Sequence, residues 1–176
     1  MSTDLNLWIQ TTEGNFVRLE DHTTNMIRDV LCFHMQAGQP APASPLVPSH
    51  DELELRRDLH KEEVTKELDD ALESLKEVTT QWEAIEALAA VADGIVDGIY
   101  VLLGTGVQLG IPLAEVWRRV HAANMAKIKD GVHRRSDGKI LKPPGWVPPD
   151  VIGAICKALV VTDGRVPIAQ PGMRTE

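Results

Sequence analysis

The chain has 176 residues, a formal charge of −8 and a pI near 5.2, so it lacks the positive field that a nucleic-acid or anionic-membrane surface requires. That length supports one domain with a real core and leaves little room for a second. Cys32 and Cys156 are its only cysteines and form no C-x-x-C pair, which excludes a disulfide framework and a thiolate zinc site and fits a reduced, cytoplasmic setting.

No positively charged start followed by an apolar core opens the sequence. Its longest apolar run, about residues 99–111, is shorter than the ~20 residues that cross a bilayer, so a soluble protein without a membrane partner is expected. After a polar start, residues 25–38 place Met26, Val30, Phe33 and Ala37 at helical spacing and stop at Gly38, a favoured helix-ending residue. Residues 39–49 follow with four prolines in eleven positions, an extended connector that cannot be helical.

A long amphipathic helix is expected over residues 50–78, with Val64, Leu68, Ala71, Leu72 and Leu75 on one face. A third helix runs over about 83–108 and a fourth over 112–129, where Pro112 suits a first-turn position after Gly110. In residues 130–150 an Asp-Gly turn and a proline-rich stretch indicate a small hairpin or wrapped arm. Asp150 can cap a last short helix over about 151–160. The expected architecture is all-α: about four core helices, a C-terminal hairpin arm and a final short helix in one domain over residues 1–162, with a flexible tail at 163–176.

Chemistry concentrates on the third helix. At 100° per residue Glu86, Asp93 and Asp97 lie within about 40° of one another, and Tyr100 and Gly104 continue the stripe, while Leu88, Val91, Ile95, Ile99 and Leu102 take the opposite side. No lysine or arginine occurs from Glu77 through Trp117, so these acids have no local partners. Gly94, Gly98 and Gly104 each cost about 1 kcal/mol relative to alanine in a helix, which calls for close approach of another helix or a ligand, and the helix reads as enclosed on most sides. Unpaired carboxylates in such a place repel one another unless a cation neutralises them. Helix two offers Glu63 and Glu67, one turn apart at the edge of its apolar face, with Glu62 pointing further out. Oxygen-only donors suit a hard ion, Mg²⁺ first with Mn²⁺ as substitute. The competing reading, an acidic solvated face satisfied by Lys61 and Lys66, carries more weight for Glu62, Glu63 and Glu67 alone than for Asp93 and Asp97.

The blocks "DVLCFHMQAGQP", "RRDLHKEEVTKELDDAL", "VADGIVDGIYVLLGTGVQLGI", "VHAANMAKI" and "DGKILKPPGWVPPD", in this order over residues 29–150, resemble the phage and bacterial MazG-like enzymes of the all-α nucleoside triphosphate pyrophosphohydrolase superfamily. The resemblance implies Mg²⁺-dependent hydrolysis of a nucleoside triphosphate between its α and β phosphorus atoms, giving a monophosphate and pyrophosphate. It matches Glu62, Glu63 and Asp93 to metal-site acids and Asp97 to a second aspartate one turn later; Glu62 or Glu63 is the candidate for taking the proton from the attacking water. Asn124, Lys127 and Lys142 become candidate phosphate contacts, with Lys139 beside them. Two positions depart from the family pattern. Lys66 stands where E-E-x-x-E has its last acid, so either the register shifts or Glu67 substitutes from a rotated direction. Ala90 stands where E-x-x-D has its first, leaving Glu86 or Asp97 to compensate.

The phage-like arrangement resembles enzymes that convert dGTP to dGMP, which makes a purine deoxynucleotide the first expectation and dUTP or dCTP the next. Phosphoribosyl-ATP pyrophosphohydrolases share the core but are typically more compact than a chain with this N-terminal helix and arm. A non-catalytic helical oligomerisation or cation-binding module is the reading outside enzymes, and Ala90 favours it. Such families assemble as homodimers or homotetramers, and the wide apolar face of helix three fits that expectation. A phage-encoded protein would work in the host cytoplasm. The residues that contact the base are not legible. His34 and His121 read as structural hydrogen-bonders, and Trp8, Trp82, Trp117 and Trp146 as packing residues, with Trp146 best placed to cover a ligand.

Overall fold

A computed structural model describes residues 8–10, 16–18, 25–129, 131–159 and 166–168. Two short strands, β1 (Trp8–Gln10) and β2 (Phe16–Arg18), pair antiparallel with Ile9 opposite Val17. They lie in the stretch that sequence left as a polar start, and their aromatic and β-branched residues favour the extended form. All other regular elements are helical, so the architecture is all-α.

Helix α1 (Met26–Gln36) starts where the Asn25 side chain accepts from the Arg28 amide, and it buries Val30 and His34. The proline connector runs extended to Ser49. On the way Leu46 donates to the Leu109 carbonyl and Val47 to that of Pro167, with a bridge to Ile168, so two residues of the expected flexible tail pair with the connector; 160–165 and 169–176 lie outside the described residues. Gly110 turns the chain beside this connector at φ +63, where a Cβ would lie 2.1 Å from the Ser44 carbonyl oxygen. Only glycine fits there.

Helix α2 (His50–Leu59) opens with a Ser49/Glu52 capping box. The expected single helix over 50–78 is then found in four pieces without a break in the chain's course. A π-helical segment covers His60–Glu67, α3 covers Leu68–Ser74, and a 3₁₀ turn closes it at Leu75–Glu77. Helix α4 (Gln81–Gln108) has a second capping box, Thr80 with Glu83, and packs against α1, the π segment and α3. Helix α5 (Leu113–Ala126) starts one residue later than expected, since Pro112 is its N-cap. Helix α6 (Val151–Leu159) lies against α5, held by Arg119, which donates from Nη1 to both the Asp150 carbonyl and its carboxylate. Asp150 in turn accepts from the Gly153 amide, as expected of a cap. The Asp137-Gly138 turn closes a hairpin with one bridge, Arg134 to Ile140, and Trp146 pins the arm by donating from Nε1 to the Ala123 carbonyl (2.7 Å).

One expectation about α4 needs correction. It is not enclosed: Leu88, Ile95, Val96 and Leu102 are all 45% exposed or more, and Asp93 is exposed as well. The glycines decide this. Gly94 sits 3.3 Å (as a built Cβ) from the Leu68 backbone and Gly98 3.5 Å from Val64, so the small-residue stripe forms the seam with the second helix and the apolar stripe faces outward. By length and composition α4 is able to cross a membrane, although its uninterrupted apolar run is short. In this chain it packs against α1, the π segment and α3, with Asp97 turned toward the π segment.

Glu83 accepts from the Thr79 and Thr80 amides and hydroxyls, which lowers its pKa to about 2. Its folded value lies below the ordinary ~4.5, so the stabilisation it gives is present above pH ~4.5 and is lost as pH falls toward 2. In urea unfolding followed by circular dichroism, Glu83→Gln should be less stable than wild type at pH 7, with the difference shrinking to nothing near pH 2; an equal difference at both pH values would refute the cap's role.

Candidate active site

The seam of α4 and the second helix is antiparallel: Gly94 meets Leu68, and Gly98 meets Val64. Asp97 precedes Gly98 by one residue, so it stands on the flank of that seam, about 100° round from it. Glu63 and Glu67 reach the same flank from the π segment, and the three carboxylates can each offer an oxygen within 4.8 Å of the others. The sequence-derived acids divide accordingly. Glu63, Glu67 and Asp97 come together; Glu62 is exposed next to them; Asp93 lies one turn from Asp97 toward the Glu67 level, over a shallow depression lined by Ala89, Ala90, Ala92 and Val96. Glu86 does not join them. It accepts from Trp82 Nε1 (2.9 Å) and borders a separate depression with Glu77, Glu83 and Ala90.

The π segment answers the question raised by Lys66. An α-helix places i+4 about 40° beyond i and i+3 about 60° short of it. Hydrogen bonding from i to i+5 widens the turn to about 4.4 residues, which brings i+4 to about 30° short of i. One extra residue between Glu63 and the next acid is therefore absorbed, and Glu67 points close to where an i+3 glutamate would point in a regular helix. A wider turn of this kind corresponds to the register shift, one of the two alternatives that Lys66 leaves. For Ala90 the structure places no carboxylate at that position; the cluster is centred two turns further along, on Asp97.

Glu63 is the most perturbed of the three. Burial, then the negative charge of Glu67, a hydrogen bond shared with it, and the charges of Asp97 and Glu62 hold its carboxyl above the ordinary glutamate value. Among the described residues no lysine or arginine forms an ion pair with Glu63, Glu67 or Asp97. A compact, oxygen-only, unneutralised donor set fits a hard divalent cation.

The basic candidates gather elsewhere. Lys127 donates to Asn124 Oδ1 (2.7 Å), and the ammonium groups of Lys127 and Lys142 lie 5.3 and 4.3 Å from the centroid of the Trp146 ring. Two like charges thus lie over one aromatic ring, an arrangement the sequence showed only as separate blocks. Lys139 is exposed on the hairpin and its amide bonds Asp137.

Removing one acid should separate cluster members from bystanders. Manganese binding followed by electron paramagnetic resonance should be weakened at least about tenfold by Glu63→Gln or Asp97→Asn, and unchanged by Glu86→Gln. Because Glu63 holds its proton above the usual range, binding should tighten as pH rises through that range and release protons, visible as a buffer-dependent heat in calorimetry. Loss of binding in Glu86→Gln would move the centre.

The comparisons with known proteins agree with this geometry. The profile of the phosphoribosyl-ATP pyrophosphohydrolase family matches residues 32–124, more than half of the chain, from the middle of α1 through the end of the α4–α5 pair. No curated protein matches the chain. With its all-α fold and an acidic cluster on two antiparallel helices, the chain belongs to the phosphoribosyl-ATP pyrophosphohydrolase family, within the MazG-like superfamily, and is a nucleotide pyrophosphohydrolase of that class.

Proposed function

We propose that this protein hydrolyses a nucleoside or deoxynucleoside triphosphate to the monophosphate and pyrophosphate with Mg²⁺, a purine deoxynucleotide such as dGTP being the first substrate to test and dUTP or dCTP the next. The observation that carries the reading is the convergence of Glu63, Glu67 and Asp97 from two helices inside the matched family region. These three would hold the metal, with Asp93 one turn away available to a second ion. A bound divalent cation supplies charge neutralisation for the polyphosphate and a water of lowered pKa. Glu62, exposed and beside the cluster, or Glu63 itself takes the proton from that water. Asn124, Lys127 and Lys142 around Trp146, with Lys139 near them, are the groups of this chain suited to phosphate oxygens. The arm that carries Lys142 lies outside the matched residues, so those contacts rest on the resemblance to phage-type enzymes.

The working form is proposed to be a homodimer or homotetramer in the cytoplasm. In the single chain Val30 is the largest fully buried side chain, and Leu88, Ile95, Leu102 and Trp117 stand open. A domain of this size normally buries much more apolar surface, and a second copy of the chain is the simplest cover. Met26, Ile27, Ile99, Leu102, Leu103 and Trp117 line an apolar cavity of about 420 Å³ on that face. Free Cys32 and Cys156 are in keeping with a reducing compartment.

Incubation with each of the eight common NTPs and dNTPs plus Mg²⁺, with products separated by chromatography, tests the reaction. Monophosphate plus pyrophosphate is expected, fastest with dGTP. Diphosphate plus phosphate would exclude the reaction, and thermal stabilisation by Mg²⁺ without turnover of any substrate would favour the non-catalytic module.

A further inference from the structure

Two helical turns from the acidic cluster, along the same seam, two positively disposed groups meet over a glycine. Arg56 of α2 donates from Nε to Thr105 Oγ1 (3.2 Å) and from Nη2 to the Val101 carbonyl (3.3 Å). Both acceptors are neutral, and among the described residues no carboxylate pairs with it. A partly buried guanidinium without a counter-charge is costly, and here burial pulls its pKa down. His34 of α1 is only 3% exposed. Its Nδ1 lies 3.3 Å from the Pro40 carbonyl, whereas Nε2 has no hydrogen-bond partner among the described residues. Both groups crowd Gly104: a Cβ there would sit 2.6 Å from Arg56 Nη2 and 2.9 Å from His34 Nε2. The edge-on pair of Phe33 and Tyr100, 5.8 Å between centroids, stands beside them.

We propose that Arg56 and His34 form an oxyanion subsite that receives the pyrophosphoryl end of the nucleotide, at the opposite end of the seam from the metal-binding acids. Charge argues for a phosphoryl group, because a neutral base would leave the guanidinium uncompensated. Asp97 is level with Glu63 and, seven residues on, Gly104 is level with Arg56, about 10 Å along the helices, so the acids and the Arg56–His34 pair stand at separate levels of one seam. Arg56 supplies the charge, makes no hydrogen bond from Nη1 among the described residues, and is held in place by its two α4 acceptors. The Nε2 atom of His34 adds a second polar atom beside it. The proposal rests on the pyrophosphohydrolase reading for its ligand, but its test does not need turnover.

Binding of sodium pyrophosphate by calorimetry, at low ionic strength in EDTA so that the metal cluster is silent, should be weakened about tenfold or more by Arg56→Gln, largely kept by Arg56→Lys, and not weakened by Glu63→Gln. Pyrophosphate should also move the His34 ring signals of the wild-type protein in NMR spectra, and this reading stands if Arg56→Gln fails to fold. Binding of dGMP should not respond to Arg56→Gln. Absence of pyrophosphate binding, equal affinity in Arg56→Gln, unmoved His34 signals, or a loss confined to dGMP would each overturn the subsite. If pyrophosphate binds through Arg56 while no nucleotide is hydrolysed, the enzymatic reading falls and the subsite remains.

Discussion

The contact on which the rest depends is the glycine seam between α4 and the long second helix. Gly94 and Gly98 let the helices approach until backbone touches backbone at Leu68 and side chain touches backbone at Val64. Close approach fixes the rotation of α4, and rotation decides everything else about it. Acids that sit one residue before each glycine are carried to the flank of the seam, and leucines that would fill an ordinary core are carried to the outside. A chain built this way cannot satisfy its apolar surface alone, which is why the same feature that builds the site also argues for a second copy.

The π segment is the second constraint, and it is local. Regular α-helical hydrogen bonding over His60–Glu67 would rotate Glu67 away from Glu63 by about 40° in one sense, whereas the wider turn brings it back to the other side. Such a segment sacrifices good hydrogen-bond geometry in a helix whose neighbours on both sides are regular. The gain is that three carboxylates face one point, a repulsive arrangement in the absence of a cation, as the raised pKa of Glu63 records. Irregular hydrogen bonding and crowded carboxylates at one place mark it as the candidate site within the matched region.

Much of this was legible from residue spacing. The base-free stretch around Asp93 and Asp97, the stop at Gly38, the proline connector, the Asp-Gly hairpin and the Asp150 cap all follow from local chemistry, and the structure has each of them. Periodicity alone misplaced two things for physical reasons. A helical wheel drawn at 100° per residue has no way to represent a π turn, so Glu67 looked displaced. The same wheel ranks faces by polarity, but α4 is oriented by small residues, so within the single chain the helix is less enclosed than its glycines suggested. Arg56 and His34 went unnoticed as a pair because they are 22 positions apart on different helices and become neighbours only across Gly104. The glycine was in view; its partners were not.

Charge along the seam gives the arrangement a direction. Among the described residues Glu63, Glu67 and Asp97 form no ion pair with a basic side chain at one level of the seam, and Arg56 forms none with a carboxylate at the other. A polyphosphate with a metal ion at one end has the opposite polarity: cationic where the ion sits, anionic at the far terminus. Lying along the seam it would meet complementary charge at both ends, whereas reversed it would meet repulsion at both. On the proposed reading, the orientation of the substrate, and so the choice of which anhydride bond faces the acids, would be set by two helices whose relative register is fixed at Gly94 and Gly98.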